Sequence, residues 1–272
     1  MRTAEWINFL AFSFLTLLAW RRIAEPRRRI KVTLLGGIGL ALTGISAGIL
    51  PRALPPLAAS VCRDWFPYIL LLLFYWQAGQ FYVRVDLAVQ RRLEYLDQRL
   101  ITAPVAWCAR GAIGRGFLTV FESAYLFCYP ALPLGLGALY ILRRGREADH
   151  FWAVVLAATY FCYGLLPFIQ TQPPRVRVKP GALVPQGAVR SLNLWVLRHA
   201  SIQANTFPSA HVASSTACAL VVLRVAPPVG WAFLVLAVCI ALGAVAGRYH
   251  YTADVLLGAV VAVIASAVEA RL

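Results

Sequence analysis

Long uncharged apolar segments constrain the fold of this chain more than any other feature of its sequence. Five of them are 19 to 23 residues long: Val32–Pro51, Trp65–Val83, Ser123–Leu142, Phe151–Ile169 and Val225–Gly247. Roughly 18 apolar residues are enough for a helix to cross a bilayer. Only 14% of the 272 residues are charged and 60% are hydrophobic, and a soluble domain of this size needs more surface charge. We therefore predict an integral membrane protein.

Three further apolar segments are weaker candidates for membrane spans. Trp6–Trp20 is short, Ser209–Val225 carries polar residues near its ends, and Val255–Val268 is long enough only if its helix begins near Thr252. Together with the five strong segments, they predict an all-α polytopic membrane protein with about eight transmembrane helices.

Two long segments interrupt the apolar pattern. Arg84–Arg115 alternates charged residues with leucines at helical spacing, which predicts an amphipathic helix lying on the membrane surface. Thr171–Phe207 is basic and rich in proline, and an irregular stretch of this length between spans is usually functional.

The alternation of spans predicts which polar segments share a membrane face. Each helix reverses the direction of the chain, so counting helices places three sites on one face: the segment after Ile169, the helix start at Ser209, and the turn between Gly247 and Thr252. We therefore expect three polar clusters, far apart in sequence, to meet on one side of the bilayer.

The first cluster is Phe207–His211, with the sequence Phe-Pro-Ser-Ala-His. Proline suits the first turn of a helix because its missing N–H would be unpaired there. Free backbone N–H groups at a helix start form a natural phosphate site, to which Ser209 adds a hydroxyl and His211 an imidazole. The alternative interpretation is an ordinary N-terminal cap with a histidine among the headgroups.

The second cluster pairs His250 with Asp254, four residues apart on one predicted helix face. A carboxylate on one imidazole nitrogen leaves the other nitrogen free as a nucleophile or base. Ionisable residues at the mouth of a membrane helix suggest function by default, although the pair could simply end the helix.

The third cluster is Gln170–Arg175, where two prolines stop a helix just before Arg175. The guanidinium fork of arginine suits phosphate, although an arginine at a helix end also contacts lipid headgroups. Two histidines, an aspartate, a serine and at least two arginines, Arg175 and Arg248, thus supply what phosphoryl transfer needs.

Net charge and cysteine content indicate which partners and cofactors the chain is expected to bind. We expect the net charge of +15 to face anionic headgroups or an anionic substrate rather than nucleic acid. The six cysteines show no metal or disulfide spacing, so we expect neither a metal nor another cofactor. Oligomeric state is left open.

The ordered motifs Phe-Pro-Ser-Ala-His and His-Tyr-Thr-Ala-Asp resemble those of the type 2 phosphatidic acid phosphatase (PAP2) superfamily. With Pro-Pro-Arg upstream, they particularly resemble its branch of inositol phosphorylceramide synthases and sphingomyelin synthases. The resemblance covers about Phe151–Ala270 and implies a PAP2-like catalytic membrane core over residues 116–272. Residues 1–115 then form N-terminal membrane helices and the amphipathic interfacial segment.

The resemblance also implies roles for individual residues. His250 attacks phosphorus to form a phospho-histidine, Asp254 orients it, and His211 protonates the leaving lipid oxygen, while Ser209 holds the phosphate. The family's common first motif, a lysine followed by Arg-Pro, is missing, so Arg175 is inferred as its substitute.

The family's third motif also differs here. The arginine that it places six residues before the nucleophile is replaced by Ala244. Arg248, two residues before His250, is a further candidate phosphate ligand. This departure adds weight to a transferase-like pocket.

These features favour a membrane lipid-phosphate phosphatase acting on a lipid mono- or diphosphate. The alternatives are a lipid phosphotransferase and, from another class, a proton-coupled transporter. Transporters usually bury ionisable residues near the bilayer centre, whereas these residues gather at helix ends. A multi-pass location in the cell membrane is expected.

Two considerations oppose each other on which membrane face carries the site. By helix count, 18 of the 26 basic residues lie on the site face, and the positive-inside rule makes that face cytoplasmic. The family resemblance implies the opposite face. Both possibilities are kept.

Overall fold

The structure is a computed structural model that describes residues 1–100, 111–177 and 187–269. These residues are helical and contain no β-strand; one isolated bridge pairs Thr171 with Asn205. The α-helices of these ranges are α1 Thr3–Arg22, α2 Pro26–Gly44, α3 Leu50–Ala53, α4 Pro56–Gly79, α5 Leu87–Leu100, α6 Ala112–Leu126, α7 Ala131–Ile141, α8 Ala148–Gly164, α9 Pro174–Arg177, α10 Ala188–Ala200, α11 Ala210–Val225, α12 Pro227–Ala246 and α13 Thr252–Glu269. The predicted all-α class is confirmed for the described chain.

Five helical segments are long and apolar enough to cross a membrane: Thr3–Arg22, Pro26–Ala53, Pro56–Gly79, Pro227–Ala246 and Thr252–Glu269. A sixth is obtained if the bent pair Gly116–Leu126 and Ala131–Ile141 counts as one span. The chain is a helical membrane protein, but the predicted count of about eight spans is not confirmed.

Three predicted spans differ from the helices found. The segment Ser123–Leu142 is broken between α6 and α7, whose axes differ by 71°. Helix α8 ends at Gly164 after 17 residues, because the chain turns before Pro167, and α11 has only 16 residues. Both are short for a hydrocarbon core about 30 Å thick.

Helix α11 lies at the centre of the bundle. It packs against α7, α8, α12 and α13. Small buried side chains along it, Ala213, Ala217 and Cys218, let the neighbouring backbones approach closely. Its first residue therefore has a fixed position relative to the start of α13.

A buried polar network closes the end of the bundle where α1 begins. Arg63 donates to both carboxylate oxygens of Glu5 at 2.9 Å, and Asp64 pairs with Arg2. Asp149 accepts from the first backbone N–H groups of α1 at 3.0 Å. Buried charges persist where they are paired in this way. The network lies far from the three predicted clusters, at the opposite ends of α1 and α8.

Gly258 allows α13 to approach the start of α11. A Cβ atom added there would lie 2.5 Å from the carbonyl oxygen of Ser209. We expect Gly258→Ala to push the helices apart and destabilise the protein by about 1–3 kcal/mol, the range for overpacking. Thermal unfolding in detergent measures the change.

Gly137→Ala is the matched control, because a Cβ at this helical glycine of α7 meets no atom within 4 Å. Alanine favours the helix there, so stability should hold or rise. Equal losses in the two variants would show that close helix packing at Gly258 does not matter.

Candidate active site

The turn between α12 and α13 presents His250 beside Asp254. The Nδ1 atom of His250 lies 3.4 Å from Oδ2 of Asp254, which also accepts from the Tyr251 backbone at 3.0 Å and from the Asn205 amide at 2.8 Å. His250 is 6% exposed and Asp254 is fully buried. The carboxylate thus orients one ring nitrogen and leaves Nε2 for chemistry.

The start of α11 is tied directly to this pair. The Ser209 backbone N–H donates to the carbonyl oxygen of Asp254 at 2.9 Å. The Ser209 hydroxyl accepts from the Val212 N–H at 3.4 Å and therefore caps the helix. The ring centroid of His211 lies 6.0 Å from that of His250, with the planes inclined by 73°.

Arg175 reaches the same place from the segment after α8. Its backbone N–H donates to the carbonyl oxygen of Arg248 at 2.7 Å, and the nearby Asn205 N–H donates to Thr171 O at 2.9 Å. The Nη2 atom of Arg175 is buried without a hydrogen-bond partner. A buried donor left unpaired is rare in proteins and suggests a place for an anionic ligand.

These side chains line a small cavity of about 20 Å³. That volume holds about one water molecule, so a phosphoryl group needs the walls to move apart. Most of the wall is aromatic, which keeps the local dielectric low and strengthens charge interactions. The lining residues are Tyr75, Tyr125, Tyr163, Arg175, Leu197, Ser201, Ala204, Thr206, His211, Tyr249 and His250.

The structure thus gathers five of the six predicted site residues: His211, His250, Asp254, Ser209 and Arg175. His211, His250 and Arg175 line the cavity, whereas Ser209 and Asp254 contact the site without lining it. The sixth residue, Arg248, lies two residues before His250 and also does not line the cavity. Its guanidinium lies 3.5 Å from the carboxylate of Asp97. A role for Arg248 in binding phosphate stays a prediction.

Sequence reasoning missed the contribution of α5. Its amphipathic pattern was recognised, but the polar residues on its buried face were not assigned to the site. Gln90 donates to the Tyr251 hydroxyl at 2.5 Å and accepts from the Gln172 N–H at 3.0 Å. Asp97 accepts from the Thr252 N–H at 2.9 Å and from its hydroxyl at 2.7 Å.

A second missed group surrounds Glu122 in α6. Its carboxylate accepts from the Tyr249 hydroxyl and from the Asn193 amide at 2.9 Å, and Arg190 lies 3.5 Å away. Tyr249 stacks on Tyr125 at 4.0 Å between centroids. An acidic residue inside an apolar segment was the available signal, since such residues need a partner.

Burial sets the protonation state of His250. It lowers the pKa of His250 to about 3, and the positive charge of Arg175 contributes in the same direction. The imidazole is therefore neutral at physiological pH, as a nucleophile must be. Among the described residues, no group of three or more His, Cys, Asp or Glu side chains is arranged to hold a metal ion.

Comparison with known protein families identifies the family of this chain. The family model of the PAP2 superfamily matches residues 91–268. The chain belongs to the PAP2 superfamily. The PAP2 match includes all six predicted site residues and begins within α5, earlier than the motif resemblance. No curated protein and no solved structure matches the chain significantly. PAP2 membership supports a phosphatase or phosphotransferase type of function on lipid phosphates.

The effect of the Arg175 charge on the pKa of His250 can be tested through the pH dependence of activity. Because that charge disfavours protonation of His250, Arg175→Gln should raise the histidine pKa toward its ordinary value. Protonated His250 cannot attack, so the acid limb of the kcat profile should move to higher pH. Phosphate release from a lipid phosphate, measured across pH, gives the limb.

Arg177→Gln is the matched control, since Arg177 is half exposed and pairs with Glu94 at 3.1 Å outside the cavity. Its acid limb should coincide with that of the unmodified protein. An unchanged limb in Arg175→Gln would contradict the assigned electrostatic coupling.

Proposed function

We propose that the chain is a membrane lipid-phosphate phosphatase that works through a phospho-histidine on His250. One observation carries the proposal: His250, His211 and Arg175 with its unpaired Nη2 line a single cavity, and Asp254 lies against the ring of His250. A nucleophile, a group that moves protons and a fixed positive charge are the components of metal-free phosphoryl transfer.

In the first step, Nε2 of His250 attacks phosphorus in line with the lipid oxygen. The negative charge of the bound phosphate favours the protonated form of His211. The new P–N bond forms as the P–O bond breaks, and protonated His211 gives its proton to the departing lipid alkoxide. Asp254 stabilises the positive charge that develops on the imidazole. Arg175 binds the phosphoryl oxygens, and Ser209 holds the start of α11 beside them.

In the second step, water attacks the phospho-histidine. His211 has lost its proton in the first step, so it now accepts one from water as the new P–O bond forms. The P–N bond breaks, inorganic phosphate leaves, and both histidines return to their initial states.

The substrate follows from the surroundings. A site at the ends of membrane helices meets the headgroups of lipids that lie in the bilayer. We propose a lipid mono- or diphosphate in the cell membrane as substrate, with no metal or other cofactor.

A lipid phosphotransferase is the second candidate, favoured by the position at which the family's third motif has an arginine. Ala244 occupies it and is fully buried, and its carbonyl oxygen accepts from the backbone of Tyr249 at 2.8 Å and of His250 at 3.0 Å. Together with Pro-Pro-Arg and His-Tyr-Thr-Ala-Asp, this fits an inositol phosphorylceramide or sphingomyelin synthase-like pocket. A lipid or polyol hydroxyl then replaces water in the second step.

The nucleophile is tested by substitution. His250→Ala should abolish turnover and Asp254→Asn should reduce it by about 10⁴-fold, as loss of an orienting carboxylate does in comparable triads. Phosphate release by protein that retains its thermal unfolding transition is the measurement.

His199→Ala serves as the control, because His199 is exposed on α10 and contacts Trp195 of the same helix. It should keep near-normal turnover. If folded His250→Ala also keeps it, the phospho-histidine mechanism is wrong.

The destination of the phosphoryl group separates hydrolase from transferase. We expect labelled phosphate from a single turnover to appear mainly as inorganic phosphate, even with ceramide, diacylglycerol or inositol present. Label that passes mainly to an added acceptor, with free phosphate near background, would establish the transferase instead.

A further inference from the structure

One face of α5 contacts both segments that carry the site. Gln90, Glu94 and Asp97 share this face at helical spacing. Gln90 bridges Gln172 and Tyr251 and also donates to Glu94, which pairs with Arg177 at 3.1 Å. The helix therefore holds the Arg175 segment on one side and the His250 segment on the other.

Asp97 makes the contacts nearest to the nucleophile. It is 4% exposed and contacts the chain two residues before and two residues after His250. Its Oδ2 lies 3.5 Å from the guanidinium of Arg248, and its Oδ1 accepts from the Thr252 N–H at 2.9 Å and from the Thr252 hydroxyl at 2.7 Å.

The contact with Thr252 also fixes the start of α13. A carboxylate at a helix N-terminus satisfies a free N–H group and interacts favourably with the helix dipole. Asp254 lies in the first turn of this helix. A shift of the helix start would therefore move the carboxylate that orients His250, together with the ring itself.

From these contacts we propose that Asp97 is a positioning residue that holds the His250 segment in line for attack, and that Arg248 acts as its partner rather than as a phosphate ligand. The proposal rests on the phospho-histidine function above. Asp97 neutralises the guanidinium of Arg248, while Nη2 of Arg175 has no partner. Arg175 is thus the arginine available to phosphate.

Kinetics distinguish positioning from phosphate binding. A misplacement of about 1 Å lowers the rate of the chemical step by about 100-fold, whereas loss of a ligand that binds substrate and transition state equally raises KM. We expect Asp97→Asn and Arg248→Ala each to lower kcat by about 100-fold and to leave KM within about threefold.

The two changes should also be coupled. Because both residues act through one contact, the double variant Asp97→Asn/Arg248→Ala should lose little more activity than either single variant. Arg91→Gln is the control on the same helix, since Arg91 is exposed and its side chain donates to the carbonyl oxygen of Leu87 within α5 at 3.2 Å; its kcat should stay within about threefold.

Binding of inorganic phosphate, measured by calorimetry without turnover, gives a readout that is independent of catalysis. Arg175→Gln should weaken this binding, and Asp97→Asn should leave it unchanged. Asp97→Asn keeps the shape of the side chain, and its thermal unfolding is compared with that of the unmodified protein, so a folding defect is detected directly.

Three results overturn the proposal: Arg248→Ala raises KM with kcat preserved, Asp97→Asn tightens phosphate by releasing Arg248, or folded Asp97→Asn keeps normal kcat. Failure of the phospho-histidine function itself is a separate result, namely turnover that survives His250→Ala.

Discussion

The carboxylate of Asp254 is the interaction on which the arrangement of the site depends. Asp254 is fully buried, and its carboxylate accepts from the Asn205 amide and the Tyr251 backbone and lies beside the His250 ring. The backbone carbonyl oxygen of Asp254 accepts from the Ser209 N–H. A buried carboxyl group is unfavourable unless hydrogen-bond partners of this kind compensate for the loss of water. The same requirement holds the segment from Asn205 to Ser209 against the segment from His250 to Asp254, so one residue both stabilises the fold and organises the site.

The sequence predicts where most of the apolar helices lie, but it does not predict where one of them breaks. The positions of the apolar helices follow from composition, but the break between α6 and α7 at Pro130 does not. Proline alone does not identify such a break, because Pro67 lies inside α4 without ending that helix. At the bend, the Tyr68 hydroxyl donates to the carbonyl oxygen of Tyr129 at 3.1 Å, a tertiary contact that the local sequence does not predict. Within a membrane, an irregular backbone persists only where protein supplies such partners.

The spacing predicted that His250 and Asp254 meet, but the predicted shared helix face is wrong: His250 lies in the turn before α13, which begins at Thr252, and Asp254 lies in the first turn of that helix. The contact of Asp97 with Thr252 was not predictable, since it joins residues 155 positions apart, and the contact of Glu122 with Tyr249 joins residues 127 apart. Surface amphipathicity predicted that α5 is a helix but not which residues its buried face would meet. Pairing of charges across such distances is decided by packing.

The length of α11 has a consequence for where the chemistry happens. Its 16 residues extend over about 24 Å at about 1.5 Å per residue, whereas the hydrocarbon layer is about 30 Å thick. A helix of this length that stands upright in the bilayer falls about 6 Å short of crossing the hydrocarbon layer. For the proposed lipid phosphatase, the thickness of the surrounding membrane would then set how closely a phosphorylated headgroup approaches the start of α11, so the bilayer itself would influence the rate.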